Sequence, residues 1–117
     1  MENRTTIHTV TDENYDRVVA QNPQPVVLCF TASWSGSSCI MHAIVTDLAE
    51  RFAGRVTIGK VDAERSTHIA QRLGVSSIPT VLIFSNGEVT DMIEGMTSGD
   101  ELAQMVSALL LPKGERR

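Results

Sequence analysis

From Val26 to Ala32 the chain reads VVLCFTA, apolar almost without interruption, which is the pattern of a strand covered on both faces of a parallel sheet. The period then changes. Ile40, Met41, Ile44, Val45, Leu48, Ala49 and Phe52 recur at three- and four-residue spacing and predict a helix with one wide apolar stripe, closed at Gly54. That helix should lie on the sheet. Before the strand, RTTIHTV predicts a short first strand. TDENYDRVVA predicts a helix with acidic residues in its first turn and Tyr15, Val18 and Val19 inward, ended by the loop QNPQP. After the long helix, RVTIGKVDA predicts a strand and RSTHIAQRLG a short helix ending at Gly74, so a right-handed crossover is expected. TVLIF and EVTDMIE flank SNG, and Asn86-Gly87 between two apolar runs marks a hairpin. Ser98 and Glu101 have capping-box spacing ahead of LAQMVSALLL, which Pro112 stops. The order β-α-β-α-β-α-β-β-α is of the α/β class, a mixed central sheet of about five strands flanked by four helices on its two faces.

Length adds that one domain, residues 1–111, accommodates every element, with 112–117 as a frayed tail. Lys and Arg number 10 against 14 Asp and Glu, and the basic residues gather only in the terminal KGERR. That leaves no patch suited to a phosphate backbone, so nucleic acid is not an expected partner. MENRTTIHTV lacks the apolar core of a signal peptide, and no run approaches the roughly 18 apolar residues of a membrane span. A cytoplasmic protein without a membrane partner is expected. Cys29 and Cys39 are too few for a disulfide scaffold and suit a reducing compartment. His8, His42 and His68 are dispersed, so neither a metal nor another cofactor is expected.

The stretches VVLCFTASW, VTIGKVDAE, LGVSSIPTVLIFSNGEV and EGMTSGDEL follow one another with no gap needed between Trp34 and Pro79. In that order and spacing they resemble the thioredoxin family along nearly the whole chain. The resemblance implies the thioredoxin fold, protein-disulfide reduction as the family activity, and protein substrates. SIPT stands where the family has its cis-proline loop, and Trp34-Ser35-Gly36-Ser37-Ser38 where it has Trp-Cys-Gly-Pro-Cys. Both signature cysteines are serine here. Cys29 stands for the family's buried aspartate, Lys60 for its strand lysine and Ala43 for the proline that bends the second helix.

Disulfide reduction of this type needs a thiolate at the helix N-terminus and a second thiol three residues on to release the mixed disulfide. Helix N-termini can bring a cysteine from about 8.5 to as low as about 3.5, but an alcohol starts far too weak an acid to ionise there. Ser35 and Ser38, at the catalytic positions, therefore cannot turn over a dithiol. Cys39 falls almost opposite the apolar stripe and should face water, either as an incidental surface cysteine or as a monothiol near the helix N-terminus and His42. Cys29 alternates with Leu28 and Phe30 and should be buried, too far inward to pair with Cys39. Ser35, Ser38 and His42 share a helix flank, but no Gly-x-Ser-x-Gly elbow or orienting acid supports a hydrolase.

What the resemblance leaves intact are the parts that hold a peptide. Trp34, Gly36, Ile78, Pro79, Gly95 and Met96 are the peptide-binding candidates. Trp34 either packs in the core or offers an exposed edge, and a cis Ile78-Pro79 bond would turn the Ile78 backbone outward to pair with an extended peptide as an added strand. A redox-inactive module that binds a peptide or protein, in an assembly, chaperone or regulatory role and as a monomer or weak dimer, is therefore expected. The alternative is a thiol-disulfide oxidoreductase, either through Cys39 or because serines replaced cysteines at 35 and 38.

Overall fold

The computed structural model describes residues 7–111. Residues 4–6 of the expected first strand, the tail 112–117 and the helix stop assigned to Pro112 lie outside them. Five strands form one sheet, β1 (Ile7–Thr9), β2 (Val26–Thr31), β3 (Thr57–Asp62), β4 (Thr80–Ser85) and β5 (Glu88–Glu94), in the order β1-β3-β2-β4-β5. β1, β3 and β2 run parallel, while β4 and β5 are antiparallel to their neighbours. The mixed α/β architecture is that of the thioredoxin fold expected from the sequence.

The unbroken apolar run of β2 is explained by what covers it. Val27 and Cys29 face Met41, Val45 and Leu48 of helix α1 (Gly36–Arg51) and Leu102 and Val106 of helix α3 (Gly99–Leu110). Val26, Leu28 and Phe30 face the other way, against Tyr15, Val18 and Val19 of the opening helical turn (Asp16–Ala20) and Ile69 of the short helix α2 (Thr67–Arg72). A strand in the middle of such a sandwich has no wet face, so the period-two alternation disappears. Gly59, beside it on β3, is a packing requirement: a Cβ there would lie 2.9 Å from Val10 Cγ2 and 3.1 Å from Leu28 Cδ1.

Three elements depart from expectation. The opening helix is shorter than TDENYDRVVA and wider than an α-helix, its last turn closed by Gln21 N–H donating to the Asp16 carbonyl five residues back at 2.9 Å. Thr11 and Asn14 consume the residues before it in a reciprocal cap, the Thr11 N–H donating to Asn14 Oδ1 at 2.7 Å and the Asn14 N–H to Thr11 Oγ1 at 3.3 Å. On α1, Ile40 is 56% exposed rather than part of the buried stripe. At 100° per residue it lies roughly 100° from the centre of the set formed by Met41, Val45, Leu48 and Phe52. On α3, Ser98 Oγ accepts the Glu101 N–H at 3.1 Å, but the Glu101 carboxylate takes the Thr97 hydroxyl at 3.4 Å, so only half the expected box is formed.

The hairpin is as the sequence indicates. Asn86 and Gly87 both have positive φ, 52° and 83°, the pairing of signs that matches the twist of two-residue β-hairpins. Gly87 is constrained further, because a Cβ on it would run into the Ala20 carbonyl.

Candidate functional site

Strand register gathers the site at one end of the sheet. Phe30 pairs with Thr80, and Thr80 with Glu94, so the loop leaving β2, the loop entering β4 and the loop leaving β5 emerge side by side. They carry Trp34, Ile78-Pro79 and Gly95-Met96 respectively. Hydrogen bonds tie the loops down. The Gly95 N–H donates to the Pro79 carbonyl at 2.8 Å, Thr80 Oγ1 donates to the Ser77 carbonyl at 2.7 Å, and the Ser77 hydroxyl reaches Glu94 Oε2 at 3.4 Å. On the other side the Ser33 hydroxyl donates to Glu64 Oε1 at 3.1 Å. Glu64 and Glu94 had no signal in the sequence, since their partners lie 31 and 17 residues away.

The Ile78-Pro79 bond is cis. Among the described residues the Ile78 N–H and C=O have no hydrogen-bond partner. Trp34 is 68% exposed, so its indole is a surface feature and not a core residue, and Met96 is 46% exposed. Gly95 adopts φ +87°, which a side chain would disfavour.

The two serines are placed differently from the rim. Ser35 is the N-cap of α1 and its Oγ accepts the Ser38 N–H at 3.3 Å. Ser38 Oγ accepts the Ala32 N–H at 3.2 Å, tying the first turn of α1 to the end of β2. Both side chains are buried. Each hydroxyl thus has a structural task, satisfying a backbone donor that would otherwise be orphaned.

Cys29 is fully buried, and burial pushes its thiol up to about 12, so it is neutral at physiological pH. In the sheet it pairs with Lys60 on β3. Cys39 is exposed and both cysteines are free. Between α1 and the strand ends lies a cavity of about 500 Å3 whose lining includes Cys29, Ser38, Cys39, His42, Lys60 and Asp62. His42 comes near Ser38 in that lining, but among the described residues no carboxylate hydrogen-bonds to it, and Ser35 does not line the cavity. The same-flank geometry therefore lacks the orienting acid of a triad. Among the described residues no group of three or more His, Cys, Asp or Glu is placed to hold a metal ion, and no helix is long and apolar enough to cross a membrane.

Residues 6–108 match the family model for thioredoxin. This chain belongs to the thioredoxin family. Thioredoxin 1 of Nostoc sp. is 30% identical to it over 95 residues, covering 81% of this chain and 89% of the relative. The chloroplast M-type thioredoxin of Pisum sativum is 33% identical over 100 residues, 86% of this chain and 58% of the relative. The chloroplast M-type thioredoxin of Zea mays is 35% identical over 95 residues, 81% of this chain and 57% of the relative. The chain spans little more than half the length of these plant thioredoxins. As a thioredoxin it keeps the cis-proline loop and the tryptophan before the helix, and it presents buried serine hydroxyls at the helix start.

Proposed function

We propose that this thioredoxin-family chain grips an extended segment of a protein partner and does not exchange disulfides. The observation that carries the reading is the contrast within the site. The Ser35 and Ser38 hydroxyls are buried and occupied as backbone acceptors, whereas Trp34, the Ile78 backbone and Met96 offer free contact groups around them. An exposed indole supplies contact area at low entropy cost, and an unpaired N–H and C=O pair on one residue can extend a peptide as a strand. A cytoplasmic setting suits the two free thiols, and the chain acts as a monomer or weak dimer.

Insulin-disulfide reduction tests this, run on the chain and on Ser35→Cys/Ser38→Cys. The chain is expected to give no turnover, and the double variant to gain it if the scaffold remains competent. Turnover by the unaltered chain would overturn the reading. A second reading has one observation behind it: Cys39 is exposed on the helix that carries the serines. Monothiol chemistry there requires an alkylation rate above that of a free model thiol near neutral pH, and an ordinary rate would remove it.

A further inference from the structure

The cavity between α1 and the sheet is separate from the peptide rim, because none of Trp34, Ile78, Pro79, Gly95 and Met96 lines it. Its place in the fold is informative. It opens at the carboxyl ends of the parallel strands, with Thr9, Thr31 and Asp62 ending β1, β2 and β3 respectively. β2 and β3 are neighbours whose following helices pack on opposite faces, α1 on one and α2 on the other. Such a reversal between adjacent strands splays the connections apart and leaves a crevice in which ligands of open α/β sheets bind.

The chemistry of the lining is asymmetric. Val45, Ala32 and Cys29 form an uncharged wall, and the Cys29 thiol there stays protonated because burial opposes its ionisation. At the same level Lys60 carries an ammonium with no ion-pair partner among the described residues. The remaining carboxylate, Asp62, is already engaged, accepting the Glu64 N–H at 2.9 Å and lying 3.9 Å from Arg65. A volume of about 500 Å3 falls in the range of small-molecule pockets.

We propose that this cavity binds a small organic monoanion with an apolar body, the anionic group on Lys60 and the body against Val45 and Cys29. An acid in place of Cys29, which the family resemblance implies for this position, would set a negative charge beside that anion. The neutral sulfur of this chain removes the repulsion. Cys39 stands at the mouth of the cavity and supplies a reporter, since its alkylation is blocked when the mouth is filled, while Cys29 is shielded from reagent by burial.

The test uses 8-anilinonaphthalene-1-sulfonate as the apolar monoanion and uncharged N-phenyl-1-naphthylamine as its neutral counterpart. The full chain and Lys60→Met are compared, with folding of the variant confirmed by circular dichroism. The sulfonate is expected to slow iodoacetamide alkylation of Cys39 saturably and with one-to-one stoichiometry by calorimetry. Losing a charged hydrogen-bond donor should weaken it roughly tenfold or more in Lys60→Met. The neutral amine should protect more weakly and be indifferent to the substitution. Sulfonate binding without protection of Cys39 would place the dye elsewhere and overturn the proposal. Equal protection in folded Lys60→Met, or none at millimolar concentration, would do so as well.

Discussion

Replacing Ser38 by alanine tests whether the serines at the helix start are structural parts or idle remnants. In the folded chain Ser38 Oγ accepts the Ala32 N–H at 3.2 Å in a buried position. Alanine removes the acceptor and leaves no room for water to replace it, so the Ala32 donor stays desolvated and unpaired. An unsatisfied buried group of this kind costs about 1–3 kcal/mol, and about 2 kcal/mol is the expected loss. Ser35→Ala removes only an N-cap acceptor, a change worth about 1 kcal/mol. The two substitutions should not add, because both act on the first turn of α1 and Ser38 takes part in both bonds. Urea unfolding followed by far-ultraviolet circular dichroism measures both. With a slope in the region of 1–3 kcal/mol per molar, a loss of about 2 kcal/mol moves the midpoint by roughly 1 M. Ser38→Cys should recover part of the loss, sulfur being a weak acceptor. A Ser38→Ala protein within about 0.5 kcal/mol of the parent would refute the argument, since the buried hydroxyl would then be holding nothing in place.

Three further outcomes are expected. Burial raises the Cys29 thiol from 9.0 to about 12, so above pH 9 the unfolded chain releases a proton that the folded chain keeps. Stability is whole below about pH 9 and should fall by about 1.4 kcal/mol per pH unit as the pH rises toward 12; Cys29→Val should remove that slope in urea titrations, leaving the decline from the buried Tyr15 hydroxyl, whose titration burial also pushes up. Gly87→Ala puts a Cβ into the Ala20 carbonyl at a φ of +83°, and thermal unfolding should show a loss of roughly 2 kcal/mol or more. Trp34→Ala should leave the unfolding midpoint within about 0.5 kcal/mol of the parent, because the ring is 68% exposed. It should nevertheless weaken a bound peptide about tenfold or more in calorimetry; unchanged affinity would remove the indole from the binding surface.

Local pattern alone determined a good deal of this protein. The run VVLCFTA, the stripe from Met41 to Phe52, the Asn86-Gly87 turn and the Ser98 cap are set by side-chain periodicity, by backbone freedom at positive φ and by short-range hydrogen bonds, all of which act within a few residues. The absence of a thiol at 35 and 38 is likewise a property of composition, and no folding can alter what a hydroxyl can do. Ile40 and the shortened opening helix escaped the pattern because coverage by a neighbouring layer, and competition from the Thr11-Asn14 cap, decide burial and helix length.

Tertiary structure decided the rest, since it alone sets which distant groups become neighbours. Parallel pairing of β2 with β3 set Cys29 beside Lys60, 31 positions later in the chain. The same pairing, with antiparallel β4 and β5, delivered three separate loops to one rim. The Ser33–Glu64 and Ser77–Glu94 contacts and the cavity under α1 arise only when strands far apart in sequence are stacked and helices laid across them. Periodicity reports the face a residue turns toward the core. It carries no record of what waits on the other side, because that is fixed by chain closure over tens of residues.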